Sequence, residues 1–217
     1  MATPTTTEVA FGKDEPHWDV WQNEQKVIDV IPALGESKNV FSSGAPEWFP
    51  ANISSVLDAG CGVGIYRDFF VNQGINYTGI DGSKYMIDRA IERYPSSDFS
   101  VASLFDIPFG ANKFDMVWAN AVCIHIPTSL VPDAINEMRR VCKSNKYVCF
   151  NMYISEHDYM LQLDDDWGIL NVWGEATEKF ILENAFNKSI EKINIVEETD
   201  VMVGELQCVT RRYLIKK

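Results

Sequence analysis

Asp58, Asp81 and His125 are the residues of this 217-residue chain whose type and surroundings could do chemistry. Asp58 stands two positions before the first of three glycines, Gly60, Gly62 and Gly64, in the pattern D-x-G-x-G-x-G. Glycine allows positive φ and carries no Cβ, so such a turn lets a ligand approach the backbone within van der Waals reach. Asp81 closes the apolar run Tyr77-Thr78-Gly79-Ile80 and is followed by Gly82. A carboxylate at the end of a second strand can accept two hydrogen bonds from a ribose diol, and Gly82 puts little side chain in the sugar's way. Its local reading is an N-cap, Asp81 or Ser83, for a helix that starts at Lys84. His125 can act as a general base near neutral pH. It can equally be a loop residue that packs or caps the helix after Pro127.

These residues need a scaffold that brings distant segments to one edge. The spacing predicts strands at Ser55–Asp58, Asn76–Asp81, Asp98–Ala102, Phe114–Asn120, Tyr147–Tyr153, Ile193–Thr199 and Gln207–Ile215. Helices are expected between them at Ile65–Gln73, Lys84–Arg93, Ser129–Val141 and Glu175–Phe186. Alternation of this kind gives an α/β fold with a doubly wound, mostly parallel sheet. The link from Asp200 to Leu206 is too short for a helical crossover, so the last strand should run antiparallel. Residues 1–50 read as a partly disordered leader whose pattern at Trp18, Trp21, Val27, Ile28 and Ile31 is helical and ends at Pro32. Its aromatics either pack on the sheet or form a substrate lid. Residues 51–217 are the main domain.

Several classes are excluded. The glycine spacing is not the G-x-G-x-x-G of dinucleotide folds, since position 65 is Ile, and no Gly-Lys-Ser/Thr marks a P-loop. The formal charge of −12 argues against a nucleic-acid partner, which needs a basic face. Five cysteines without a C-x-x-C pair suggest a reducing, cytoplasmic setting and neither a disulfide framework nor a metal site. No apolar run approaches the ~18 residues of a membrane span.

Residues 53 to about 155 resemble a class I S-adenosylmethionine-dependent methyltransferase of the small-molecule type. The resemblance is carried by Val56–Gly64, Tyr77–Ser83, Ile107-Pro108-Phe109, Lys113–Val117 and Asn120–Ile126, in that order. It implies a seven-stranded sheet with only the last strand antiparallel, S-adenosylmethionine as cofactor and S-adenosylhomocysteine as product. It also implies cofactor contacts at Asp58, Gly60, Cys61, Gly62, Asp81, Gly82 and Asn120. Asp58 would serve the turn and the cofactor's ammonium, Asp81 the ribose hydroxyls, and the helix N-terminus the methionine carboxylate. The acidic residue expected after the third strand is Ser103 here. Either Ser103 accepts from the adenine amino group, with the Leu104 N–H against the ring, or Asp106 reaches in.

On the acceptor side, the resemblance sets His125 toward the transferred methyl and a substrate-recognition insertion at about 153–175. That insertion interleaves Asp and Glu with Tyr153, Tyr159, Trp167 and Trp173. Acids beside aromatics suit a cationic amine, or form an exposed acidic turn anchored by its rings. Trp18, Trp21, Tyr153 and Trp167 are the expected substrate residues, with a small-molecule N or O nucleophile as acceptor. A cofactor-binding module without catalysis, or a protein methyltransferase, is the alternative.

Overall fold

The computed structural model describes residues 41, 43–95, 98–162, 169–186, 193–203 and 205–217. Strand β1 (Ser55–Ala59) lies at the centre, hydrogen-bonded in parallel to β2 (Asn76–Asp81) on one side and β4 (Phe114–Ala119) on the other. Val56, Leu57 and Ala59 have no exposed surface and all six residues of β4 are buried. A strand covered on both faces reads as a near-continuous apolar run, broken here by the buried Asp58 and Asp115. β3 (Phe99–Val101) pairs with β2 at one edge, and β5 (Cys142–Ser155) pairs in parallel with β4.

Beyond β5 the direction reverses. β9 (Leu206–Lys216) pairs antiparallel with β5 from Tyr147 to Ile154, and β8 (Ile193–Val203) pairs antiparallel with β9. The seven strands β3-β2-β1-β4-β5-β9-β8 thus form the expected sheet with β9 as its antiparallel member. The sequence gives no hint of a further hairpin, β6 (Tyr159–Gln162) with β7 (Ile169–Gly174), inside the expected insertion. β7 joins the sheet in parallel at the last two residues of β5.

Among the described residues four α-helices flank the sheet: α1 (Arg67–Asn72), α2 (Lys84–Arg93), α3 (Val131–Val141) and α4 (Glu175–Ala185). α2 starts where its cap predicts, with the Ser83 hydroxyl accepting from the Met86 N–H at 3.2 Å. α1 starts two residues later than expected. Gly62 and Gly64 stand at φ of +53° and +76°, outside the helical region, so the chain makes a tight turn before it can coil. One apolar layer, centred on Val117, Phe150 and Met138, packs α3 and α4 on the sheet. The other contains Phe70, Trp118, Leu214 and the end of the leader. There Phe41 stacks on Phe69 at 3.7 Å and Trp48 on Trp118 at 6.4 Å between ring centres. The described end of the leader thus contacts Phe69 and Trp118; Trp18 and Trp21 lie outside the described residues.

Among the described residues no helix is long and apolar enough to cross a membrane. All five cysteines are buried free thiols.

Candidate functional site

The carboxyl ends of β1, β2 and β4 come together around the glycine turn. The Gly60 and Cys61 N–H groups both donate to the Ile80 carbonyl, at 2.7 and 2.9 Å. The Gly62 N–H donates to Asp81 Oδ2 at 2.9 Å, and the Ser83 N–H to Asp81 Oδ1 at 2.8 Å. Asp81 therefore ties the turn to the start of α2, and each oxygen keeps a lone pair for a further donor. Burial raises the Asp81 pKa, against the two backbone N–H bonds that lower it.

The three glycines do different work. A Cβ on Gly60 would lie 2.4 Å from a Val122 methyl carbon, and one on Gly64 would lie 2.8 Å from the Phe99 ring. Those two are glycine because protein already fills their side-chain direction. A Cβ on Gly62 would meet nothing within 4 Å. Gly62 is the point at which the turn opens, four residues from Asp58 along the chain and one hydrogen bond from Asp81.

Asp58 is 1% exposed, and its Oδ2 accepts from the Tyr77 hydroxyl at 2.8 Å. Burial pushes its pKa up to about 7; the Tyr77 bond opposes this and the charge of Asp81 adds to it. A buried carboxyl of that kind is ready for a cation, which would restore the stabilisation that water supplies elsewhere. The residues present therefore fit an adenosyl cofactor carrying an amino acid: an acid for its ammonium, an open backbone turn, and an acid for its ribose.

Ser103 is exposed, and its hydroxyl accepts from the Phe105 N–H at 3.1 Å, closing a short loop in which Ser103 bridges Asp106. The Ala102 N–H donates to the Asp81 carbonyl at 3.0 Å, which brings this loop beside the ribose acid. Leu104 is buried.

The segment after β4 is held from three sides. Ala121 adopts φ +55°, a left-handed conformation unfavourable for a residue with a Cβ. Its N–H donates to the Asn151 Oδ1 of β5 at 2.6 Å. Asn120 Oδ1 accepts from Arg212 Nη1 of β9 at 3.0 Å. His125 is half-buried in a 3₁₀ turn, Cys123–His125. The carbonyls on either side of it, Ile124 and Ile126, both accept from the Asn171 amide of β7 at 3.0 Å. Trp173 adds an indole N–H bond to the Thr128 hydroxyl at 2.9 Å. The hairpin is thus the clamp on the His125 loop.

Tyr153 is half-buried at the end of β5, where burial raises its pKa. Of the acids expected to attract a cation, Asp158 has both oxygens engaged at the start of α4, with the Gly174 N–H at 2.6 Å and the Thr177 hydroxyl at 2.7 Å. The Glu156 side chain is 88% exposed, which places it in solvent. Trp167 lies outside the described residues. A separate cavity of about 700 Å³ at the ends of β5 and β9 is lined by Ser155, Asp158, Thr177, Asp200 and Arg211, among others, and shares no residue with the glycine turn.

Tyr77, Asn151, Asn171 and Arg212 were missed as site residues. The available signal was a polar group inside an otherwise apolar strand, most clearly Asn151 between Phe150 and Met152.

A sheet of this order, with a glycine turn and two acids at its switch point, is the class I methyltransferase fold. Residues 57–150 match a family described as a methyltransferase domain. The structure superposes on an S-adenosylmethionine-dependent methyltransferase from Leishmania major with a TM-score of 0.64 at 14% identity, over 95% of this chain and 87% of that one. A second neighbour is 1,6-didemethyltoxoflavin-N1-methyltransferase from Burkholderia thailandensis, at a TM-score of 0.61 and 13% identity, over 97% and 94% of the two chains. In sequence, a malonyl-[acyl-carrier protein] O-methyltransferase from Salmonella typhimurium is 32% identical over 97 residues. That match covers 45% of this chain and 38% of the relative, so the chain spans well under half of that protein's length. Residues 57–150 thus carry a methyltransferase domain, on the class I S-adenosylmethionine-dependent methyltransferase fold.

Proposed function

We propose that this protein is a cytoplasmic enzyme that moves a methyl group from S-adenosylmethionine to a nitrogen or oxygen nucleophile of a small molecule. The observation that carries this reading is the trio of Asp58, Gly62 and Asp81: a buried acid, an open turn and a second acid with lone pairs to spare. When bound, the cofactor would supply an electrophilic sulfonium methyl, which the acceptor's lone pair would take as the C–S electron pair returns to sulfur.

The chain's own residues then bind and align. Asp58 receives the ammonium and Asp81 the ribose hydroxyls, with Gly60, Cys61, Gly62 and Gly82 as the surrounding backbone. Ser103 and Leu104 meet the adenine end. Asn120 and His125 border the methyl on a loop held by β5, β7 and β9, and Tyr153 lines the acceptor side. Alignment of donor and acceptor supplies much of the rate by itself. His125 is needed as a base only for an acceptor that must lose a proton, such as an alkylammonium or a phenol; a carboxylate is already ionised. The names of the relatives cover both atoms, one specifying O-methylation and one N1-methylation.

The Asp58 pKa gives a test. Ammonium binding requires the ionised acid, so below about pH 7 the cofactor must expel a proton to bind. Affinity for S-adenosylhomocysteine should rise by up to tenfold per unit as pH increases toward about 7. It should then decline only at the higher pH where the ligand's own α-amino group loses its proton. Calorimetry across that range in buffers of different ionisation enthalpy reads both the affinity and the proton released. An affinity that is flat below pH 7, with no proton release, would remove Asp58 from the ammonium site.

A further inference from the structure

Arg212 is a side chain that methyl transfer, as described so far, does not use. It is 3% exposed, although it sits on a strand near the edge of the sheet. Its Nε donates to Glu197 Oε2 of β8 at 2.7 Å, and its guanidinium lies 4.8 Å from the centre of the Trp118 ring. Its Nη1 donates to Asn120 Oδ1 at 3.0 Å. A guanidinium has donors only, so the edge of the Asn120 amide that meets it must be the oxygen. The Nδ2 edge then faces away from Arg212. The next residue cannot swing to undo this, because Ala121 is held in its left-handed conformation by Asn151. Asn120 therefore has one orientation, set from β9.

We propose that Arg212 is a positioning residue that makes Asn120 a hydrogen-bond donor to the methyl acceptor, and that the acceptor accordingly presents an anionic oxygen. The proposal rests on the methyl-transfer reading above and narrows its acceptor. An amide N–H pair stabilises a group with lone pairs, and it does so best for an anionic oxygen. A protonated amine offers only hydrogens and finds nothing to bond there. Glu197 completes the device by fixing the guanidinium plane through Nε, with Nη1 reaching Asn120.

The test uses the full chain saturated with S-adenosylhomocysteine. The Asn120 side-chain amide is assigned in a nitrogen–proton NMR spectrum by its disappearance in Asn120→Asp, and acetate and methylammonium are titrated separately. Acetate should shift the Asn120 amide signals and methylammonium should leave them in place. Asn120→Asp keeps an acceptor for Arg212 but no donor for the ligand, so it should weaken acetate binding at least fivefold. Arg212→Met paired with Glu197→Gln removes the buried guanidinium together with the charge of its half-exposed partner, so that no unpaired charge is left between them. In that double variant, saturated with S-adenosylhomocysteine, the Asn120 amide should lose its acetate response. Signals that move with methylammonium, or that ignore acetate, would overturn the proposal. So would a double variant with an unchanged acetate response. Failure to bind S-adenosylhomocysteine would instead strike the cofactor reading, and it is seen before any acceptor probe is added.

Discussion

Asp81→Ala should weaken S-adenosylhomocysteine binding by about 100-fold or more. The carboxylate holds the Gly62 and Ser83 N–H groups at 2.9 and 2.8 Å, and its remaining lone pairs are those assigned to the ribose. Hydrogen bonds to a charged group contribute about 1.5–3 kcal/mol each. Loss of two from the ligand is therefore about 3 kcal/mol or more, and each 1.4 kcal/mol is tenfold in affinity. The variant also strands two backbone donors, so the free protein should lose about 1–3 kcal/mol of stability. Asp81→Asn separates the two effects: it keeps one oxygen for the backbone but loses the charge, and should cost about tenfold in affinity. Calorimetry on both variants checks this, and an Asp81→Ala affinity equal to that of the parent would refute the ribose assignment.

The glycine turn gives the second large effect, because Gly60 and Gly62 should fail in opposite ways. At Gly60 a methyl group would sit 2.4 Å from Val122 Cγ2, with the backbone at φ +79°. The left-handed conformation costs about 1–2 kcal/mol for a residue with a Cβ, and overpacking adds about 1–3 kcal/mol. Gly60→Ala should therefore lose roughly 2–5 kcal/mol of stability. Adding Val122→Ala should recover only the overpacking part. At Gly62 the φ is +53° and the space is open, so Gly62→Ala should lose about 1 kcal/mol of stability. Its methyl group instead enters the ligand's space and should reduce cofactor affinity at least tenfold. Urea midpoints and calorimetry on the same samples read the two quantities. Full affinity in Gly62→Ala would mean that the ligand does not lie over this turn.

The sheet was largely legible in the sequence, because its evidence is local. Tyr77-Thr78-Gly79-Ile80-Asp81 has the strand pattern and Ser83 the cap, and both β2 and α2 fall where those residues put them. The short link before β9 fixed its direction. The start of α1 was misplaced, since a glycine's sign of φ depends on contacts with Val122 and Phe99 that no local pattern contains. The hairpin was hidden for a related reason. β6 has only four residues, and β7 carries Asn171 and Trp173 among its apolar positions, which as sequence looks like an irregular acidic–aromatic insertion. Those polar groups make sense only once the Ile124 and Ile126 carbonyls are beside them.

The same limit applies to the site. Asp58 and Asp81 could be read from their place relative to the glycines. Asn151 and Arg212 could not, because a polar residue on a strand is a surface group or a buried strut depending on what packs over it. Here the partners lie 30 and 92 positions away.

The central claim is that the site transfers a methyl group and does not merely hold its donor. It is tested most directly by incubating the protein with S-adenosylmethionine labelled in the transferred methyl, together with a small-metabolite extract. The account predicts label in a small-molecule product, one S-adenosylhomocysteine formed per methyl moved, and loss of both in Asp81→Ala. Tight binding of the cofactor with no label leaving it for any fraction would contradict the account and make the chain a binding module.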